Sequence, residues 1–281
     1  MDTHEIHSLK LRPARSRGSC ATRSLLLFSF VFLQTAGGQS FPLANKAATQ
    51  PPHSVLLELF TSEGCSSCPP VDGLLKKLDS AQPIPGAQLI VLSEHVTYWD
   101  HDGWKDPNSS KELTDRQDSY ESALGEPNLH TPQLIVDGVR EVRAGDPKQV
   151  EEALRNAAAT AKVSVRIGDV TVDGGDPVRL RARIETDAND VHNADVYAAI
   201  ALDHVESQVL RGENGGRHLV HVAVVQGLTK LGTLPKAKAF AQDVQLKLKP
   251  GTDPKNIRLV VFVQEYGPGK VLGAAVRKPA L

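Results

Sequence analysis

The sequence is poor in cysteine, in aromatic side chains and in net charge. Three cysteines occur in 281 residues, and only Cys65 and Cys68 lie close together. No second C-x-x-C exists to complete the four ligands of a zinc ribbon. The formal charge of −1, without a long block of one sign, sets nucleic acid aside, because phosphate binding needs a basic footprint. No apolar run approaches the ~20 residues of a membrane-spanning helix. The length allows two domains and a core that needs no disulfide to support it.

The one apolar run near the N-terminus is short. Arg12, Arg15, Arg17 and Arg23 precede "LLLFSFVFL" (25–33), and small residues follow in "TAGGQS". That order is the pattern of an export signal over residues 1–40. An uncleaved anchor is the alternative, which ~10 apolar residues serve poorly. Cleavage removes Cys20 and leaves two cysteines, both in the C-x-x-C, in a periplasmic or extracellular setting where disulfides persist.

Residues 41–53 read as a linker. "SVLLELF" (54–60) and "AQLIVLSEHV" (87–96) are near-continuous apolar runs of strand length, the pattern of strands buried on both faces. Between them Val71, Leu74, Leu75 and Leu78 recur at helical spacing. "SSKELTDRQDSYESALG" predicts a surface helix with Ser109 and Glu112 as capping box and Gly125 as its stop. "TPQLIVDGVREV" predicts a hairpin turning at Asp137-Gly138, and Asp146-Pro147 opens a further helix. From residue 162 onward, alternating strand-like segments are punctuated by Gly, Asp and Pro, which predicts an all-β sandwich over 162–281.

A buried strand, a C-x-x-C at a helix start and Thr131-Pro132 opening a hairpin together resemble the thioredoxin fold over residues 54–161. More closely, "ELFTSEGCSSCPP", "HVTYWDHDGWKDP", "TPQLIVDG" and "RGENGGR" resemble an exported, thioredoxin-like bacterial family known as domain of unknown function 1223. The resemblance implies an α/β thioredoxin-like domain followed by an all-β sandwich-like domain, with a cis bond before Pro132 and Thr131 and Pro132 facing the dithiol. It departs from ordinary thioredoxins in lacking a Trp before Cys65 and in carrying Ser66-Ser67 and Pro69-Pro70.

Three readings of the cysteine pair stand. A dithiol at a helix N-terminus faces a partial positive charge that favours thiolate. Pro69 and Pro70 suit that first turn, whose N–H groups lack intrahelical partners. Cys65, in the loop ahead of the helix, is then the attacking thiol and Cys68 the resolving one. The second reading is an inert staple in a binding or scaffold protein. Closing four residues contributes only roughly 2 kcal/mol, against ~3 for fifteen, so the position is poor for that purpose. The third is copper or zinc held by the cysteines with His95 and His130.

Around the pair, Glu58 interrupts a strand suited to burial. It is a candidate to move a proton to or from Cys68, as an acid resembling the buried one in thioredoxins, or else a partly exposed strand residue or the partner of a Lys or Arg. His95, Tyr98, Trp99 and Trp104 lie in a loop at the strand end where ligands bind, as a substrate groove or as packing. Arg211, Asn214 and Arg217, with Glu213, either dock near the dithiol or form a solvated turn. The expected activity is thiol–disulfide exchange with protein or small-molecule thiols and disulfides, without a cofactor or a membrane span.

Overall fold

The computed structural model describes residues 53–125, 128–187, 191, 193–234 and 239–280. These all belong to one compact unit, Gln50–Leu281. The expected signal over residues 1–40, Cys20 within it, and the linker up to residue 52 lie outside the described residues.

The apolar run after the linker becomes β1 (His53–Thr61), buried at every position but His53. It pairs in parallel with β2 (Ala87–His95), with Glu58 opposite Leu92 and Thr61 opposite His95. Helix α1 (Pro69–Ala81) joins them and buries Val71, Leu75 and Leu78. Cys68 is its N-cap, with both prolines in the first turn. Helix α2 (Lys111–Leu124) follows, then β3 (Gln133–Val136) and β4 (Arg140–Val142), turning through Asp137 and Gly138, both at positive φ. Positive φ at both central residues suits a tight hairpin turn. Helix α3 (Pro147–Ala158) is capped by the Asp146 side chain. One expected detail shifts: α2 is capped by Ser110 and not by Ser109, whose hydroxyl instead donates to Asp100.

The rest is strand. In order come β5 (Val165–Ile167), β6 (Thr171–Asp173), β7 (Arg179–Thr186), β8 (Ala194–Gln208), β9 (His218–Leu234), β10 (Phe240–Lys247), β11 (Ile257–Glu265) and β12 (Val271–Arg277). They do not close on themselves as a separate body. An eight-stranded sheet runs β12-β11-β8-β9-β2-β1-β3-β4, taking strands from both sides of residue 162. A short parallel bridge, Ser93 opposite Val224, joins its halves. Residue 162 therefore marks a change in texture, helix-bearing before and strand-only after, and not a break in the sheet. The fold is mixed α/β, dominated by this sheet, with three α-helices among the described residues.

A smaller sheet, β10-β7-β5 with β6 beside β7, shares an apolar core with β8 and β11. The first and last parts of the chain also clasp directly. Ala274 N–H donates to Ser54 Oγ at 2.9 Å, and Gln264 Nε2 donates to the Tyr120 hydroxyl at 2.7 Å. No described helix is long and apolar enough to cross a membrane.

Candidate functional site

β1 ends at Thr61, and the chain turns through Ser62–Ser67 before α1 begins. Within that turn Cys65 and Cys68 form a disulfide, with Cα atoms 5.5 Å apart. Both cysteines are fully buried, while Ser66 and Ser67 between them are exposed. The sulfurs thus lie at the N-terminus of α1, where the helix presents partial positive charge. The Thr131 carbonyl oxygen lies 3.8 Å from Cys65 Sγ, and Ser67 Oγ lies 3.3 Å from it. The Thr131–Pro132 peptide is cis.

The Gly-rich segment between β8 and β9 covers this turn. Asn214, fully buried, donates from Nδ2 to the carbonyls of Glu63 (2.9 Å) and Cys65 (2.8 Å). Arg217 donates to Asn214 Oδ1 at 2.9 Å and so fixes the amide's orientation. Ser66 N–H donates to Glu213 Oε2 at 3.1 Å. Arg211 is exposed on the same segment. Gly212, at φ +76°, touches the next loop so closely that a Cβ there would lie 2.9 Å from the Asp102 carbonyl. Only glycine fits both demands.

The aromatic loop is half-buried and tied to the same turn. Trp99 Nε1 donates to Thr131 Oγ1 at 2.7 Å, and Trp104 Nε1 donates to Glu63 Oε2 at 2.8 Å. A Cβ on Gly64 would lie 3.0 Å from Trp99 Cβ, so glycine is what lets the indole sit against the cysteine turn. Tyr98 reaches α2. Its hydroxyl donates to Gln117 at 3.2 Å, and burial pushes its pKa up to about 12. All three rings therefore have polar partners within the protein, Tyr98 on α2 and the two indoles on Thr131 and Glu63.

Glu58 is fully buried, and its partners are not cysteines. Arg116 Nε donates to it at 2.6 Å and the Tyr120 hydroxyl at 2.5 Å. Glu94 Oε2 lies 3.7 Å from the same guanidinium. Burial, and then the charge of Glu58, hold Glu94 well above the ordinary carboxylate range, with Arg116 opposing. His130 is part-exposed and meets Glu141 at 3.0 Å. Burial pulls its pKa down, but the Asn128 carbonyl and Glu141 outweigh that and leave it raised. Among the described residues no three His, Cys, Asp or Glu side chains converge as a metal cage.

His95 lies in the interior, fully buried, with Nδ1 2.6 Å from Asp106 Oδ2. Burial lowers its pKa, but Asp106, Asp72 and Glu63 together leave it raised. Asp106 is the counterpart: burial raises it, yet His95 and the N–H groups of Glu63 and Asn108 hold it below the ordinary value. The two form a buried ion pair. Sequence reading missed Asp72, Asp106, Arg116 and His221. His221 did carry a signal, since it interrupts the apolar run of β9 as Glu58 interrupts that of β1.

The sequence profile described as "Protein of unknown function (DUF1223)" matches residues 56–264. Among solved structures, a crystal structure of an Agrobacterium tumefaciens protein is 27% identical, with a TM-score of 0.63 over 80% of this chain and 94% of that one. The protein HBP35 of Porphyromonas gingivalis shares the fold at 16% identity, with a TM-score of 0.62 over 81% and 76%. No curated protein matches this chain.

Proposed function

The chain belongs to the DUF1223 family, whose description assigns no reaction, and we propose from the site itself that it carries out thiol–disulfide exchange at Cys65–Cys68. One observation carries this reading. The disulfide lies at the N-terminus of α1, with exposed Ser66 and Ser67 between its cysteines and the Thr131 carbonyl against its first sulfur. A thiolate at that place is stabilised by the helix end, and a four-residue loop makes a weak staple.

In the reaction a substrate thiolate attacks Cys65 Sγ, the Cys65–Cys68 bond breaks, and Cys68 leaves with the bonding electrons. The mixed disulfide on Cys65 is resolved by return of Cys68 or by a second thiol. The partner is a protein or small-molecule thiol or disulfide. The reading extends to residues 54–161 as a thioredoxin-like scaffold whose sheet β8, β9, β11 and β12 continue, with β5, β6, β7 and β10 as the second layer of a sandwich-like part. It takes the protein to be exported, as the N-terminal pattern "LLLFSFVFL" after four arginines implies.

A second reading has an observation in its favour. Both cysteines are fully buried under Asn214 and its neighbours, which suits an inert disulfide in a binding protein. Trapping separates the two. With Cys68→Ser, mixed disulfides with thiol partners are expected to accumulate on Cys65; with Cys65→Ser they are expected to vanish. Failure of both variants to trap any partner, including glutathione, supports the inert reading.

A further inference from the structure

The segments that hold the disulfide also bring together a row of four buried ionisable side chains. They are Asp72 of α1, His221 of β9, His95 at the end of β2 and Asp106 of the loop after it. Asp72 lies one turn after Cys68, and its N–H donates to the Cys68 carbonyl at 3.1 Å. Residues at that spacing share a helix face. Asp72 Oδ1 accepts from Thr61 Oγ1 at 2.9 Å, while Oδ2 lies 3.7 Å from His221 Nδ1. The His221 ring packs edge-on against His95, centroids 4.8 Å apart, and His95 ends the row on Asp106.

Four atoms of this row have no hydrogen-bond partner: Asp72 Oδ2, both His221 nitrogens and His95 Nε2. Leaving buried polar atoms unpaired destabilises a fold. Apolar side chains of similar volume hold a fold together without that cost. The two halves of the row differ. His95 and Asp106 are locked as an ion pair, with Asp106 also accepting N–H groups of Glu63 and Asn108. The Asp72–His221 half is not locked in this way: Asp72 Oδ1 is held by Thr61, but Oδ2 and both His221 nitrogens have no hydrogen-bond partner. The charged groups facing His95 are Asp106, Asp72 and Glu63, so the surroundings favour a cation here.

We infer that Asp72 and His221, held by His95–Asp106, supply and take back the proton of Cys68 during exchange; this rests on the thiol–disulfide reading above. When the substrate thiolate takes Cys65 Sγ, Cys68 leaves as thiolate and receives one proton from the row. In the return step Cys68 gives that proton back, its thiolate attacks the Cys65 sulfur of the mixed disulfide, and the substrate leaves as thiolate. Electrons and protons balance with no reactant beyond the exchanging thiol. The row replaces Glu58 in this part, since Glu58 is committed to Arg116 and Tyr120.

The test has two arms on the intact protein. In the first, the ring signals of His95 and His221 are titrated by NMR in the disulfide form and after reduction with a phosphine. At least one midpoint is expected to move by about one unit between the forms, as a thiol or thiolate replaces the disulfide beside the row. Identical midpoints overturn the inference. In the second, reduction by glutathione is followed from pH 5 to 8 and corrected for the reagent's thiolate fraction. His221→Asn is expected to slow it about 10²-fold and to remove a pH inflection present in the unaltered protein. An unchanged corrected profile also overturns the inference. Should His221→Asn fail to fold, the first arm decides alone. A disulfide that resists glutathione, while the phosphine-reduced protein still shows the histidine shift, defeats the exchange reading and leaves the proton coupling standing.

Discussion

Asn214 satisfies two backbone carbonyls, those of Glu63 and Cys65, which lie 151 and 149 residues away in sequence. Asn214→Ala leaves the Glu63 carbonyl without a donor and the Cys65 carbonyl with the Cys68 N–H alone, at a cost of about 1–3 kcal/mol. It also loosens the cover over the disulfide. The expected result is a lower urea midpoint together with faster reduction of Cys65–Cys68 by glutathione; a drop in stability without faster reduction would mean the segment does not limit access. Arg116 offers a harsher case. It is the cation shared by Glu58 and Glu94, so Arg116→Met strands two buried carboxylates and is expected to destabilise the fold by roughly 3–5 kcal/mol, read from chemical denaturation at pH 7. The sequence announced Glu58 as an oddity, because a carboxylate broke an apolar strand. Its partner was not legible, since Arg116 sits 58 residues on, in a helix whose charged residues look alike from sequence.

Local chemistry made several elements readable. The prolines after Cys68, Asp146-Pro147 and Asp137-Gly138 each act through their immediate neighbours, and α1, α3 and the β3–β4 turn follow from them. The start of α2 was off by one residue because two adjacent serines both suit a cap, and Asp100 claims the first. The end of β2 hid more. Glu94 and His95 follow a buried run and read as the strand's exit, yet both stay inside, since β9 and α2 close over them. Glu94 gives that element a pH signature. Its pKa is raised above the ordinary 4.5 by burial and by Glu58, so its contribution to stability is complete below pH 4.5 and is lost as the pH climbs toward its folded-state value. Glu94→Gln removes that loss. The variant is expected to gain stability relative to the unaltered protein between pH 4.5 and 7, by urea denaturation; a difference that is flat across this range would show that Glu94 ionises freely in the fold.

The pairing of distant strands was the least legible feature. Strand-like texture tells that β8, β9, β11 and β12 exist, but side-chain alternation does not name their neighbours. The sheet halves meet at Ser93 and Val224, a single non-local bridge, while β12 and β11 reach back to Ser54 and Tyr120. A chain ending at Lys162 loses those contacts and leaves Asp137 without Val271 N–H at its carbonyl. It is expected to lack a cooperative unfolding transition by circular dichroism, where an independently folded first half would show one. The same long-range pairing brings the 209–217 segment onto the cysteine turn and His221 toward Asp72, so the site is assembled by the sheet and not by either half alone. What that site does turns on the reactivity of one bond. The reduction potential of Cys65–Cys68, measured by equilibration with glutathione buffers, is predicted to fall between about −270 and −120 mV, the range of exchange catalysts. A value below about −300 mV, typical of structural disulfides, would contradict the proposed activity.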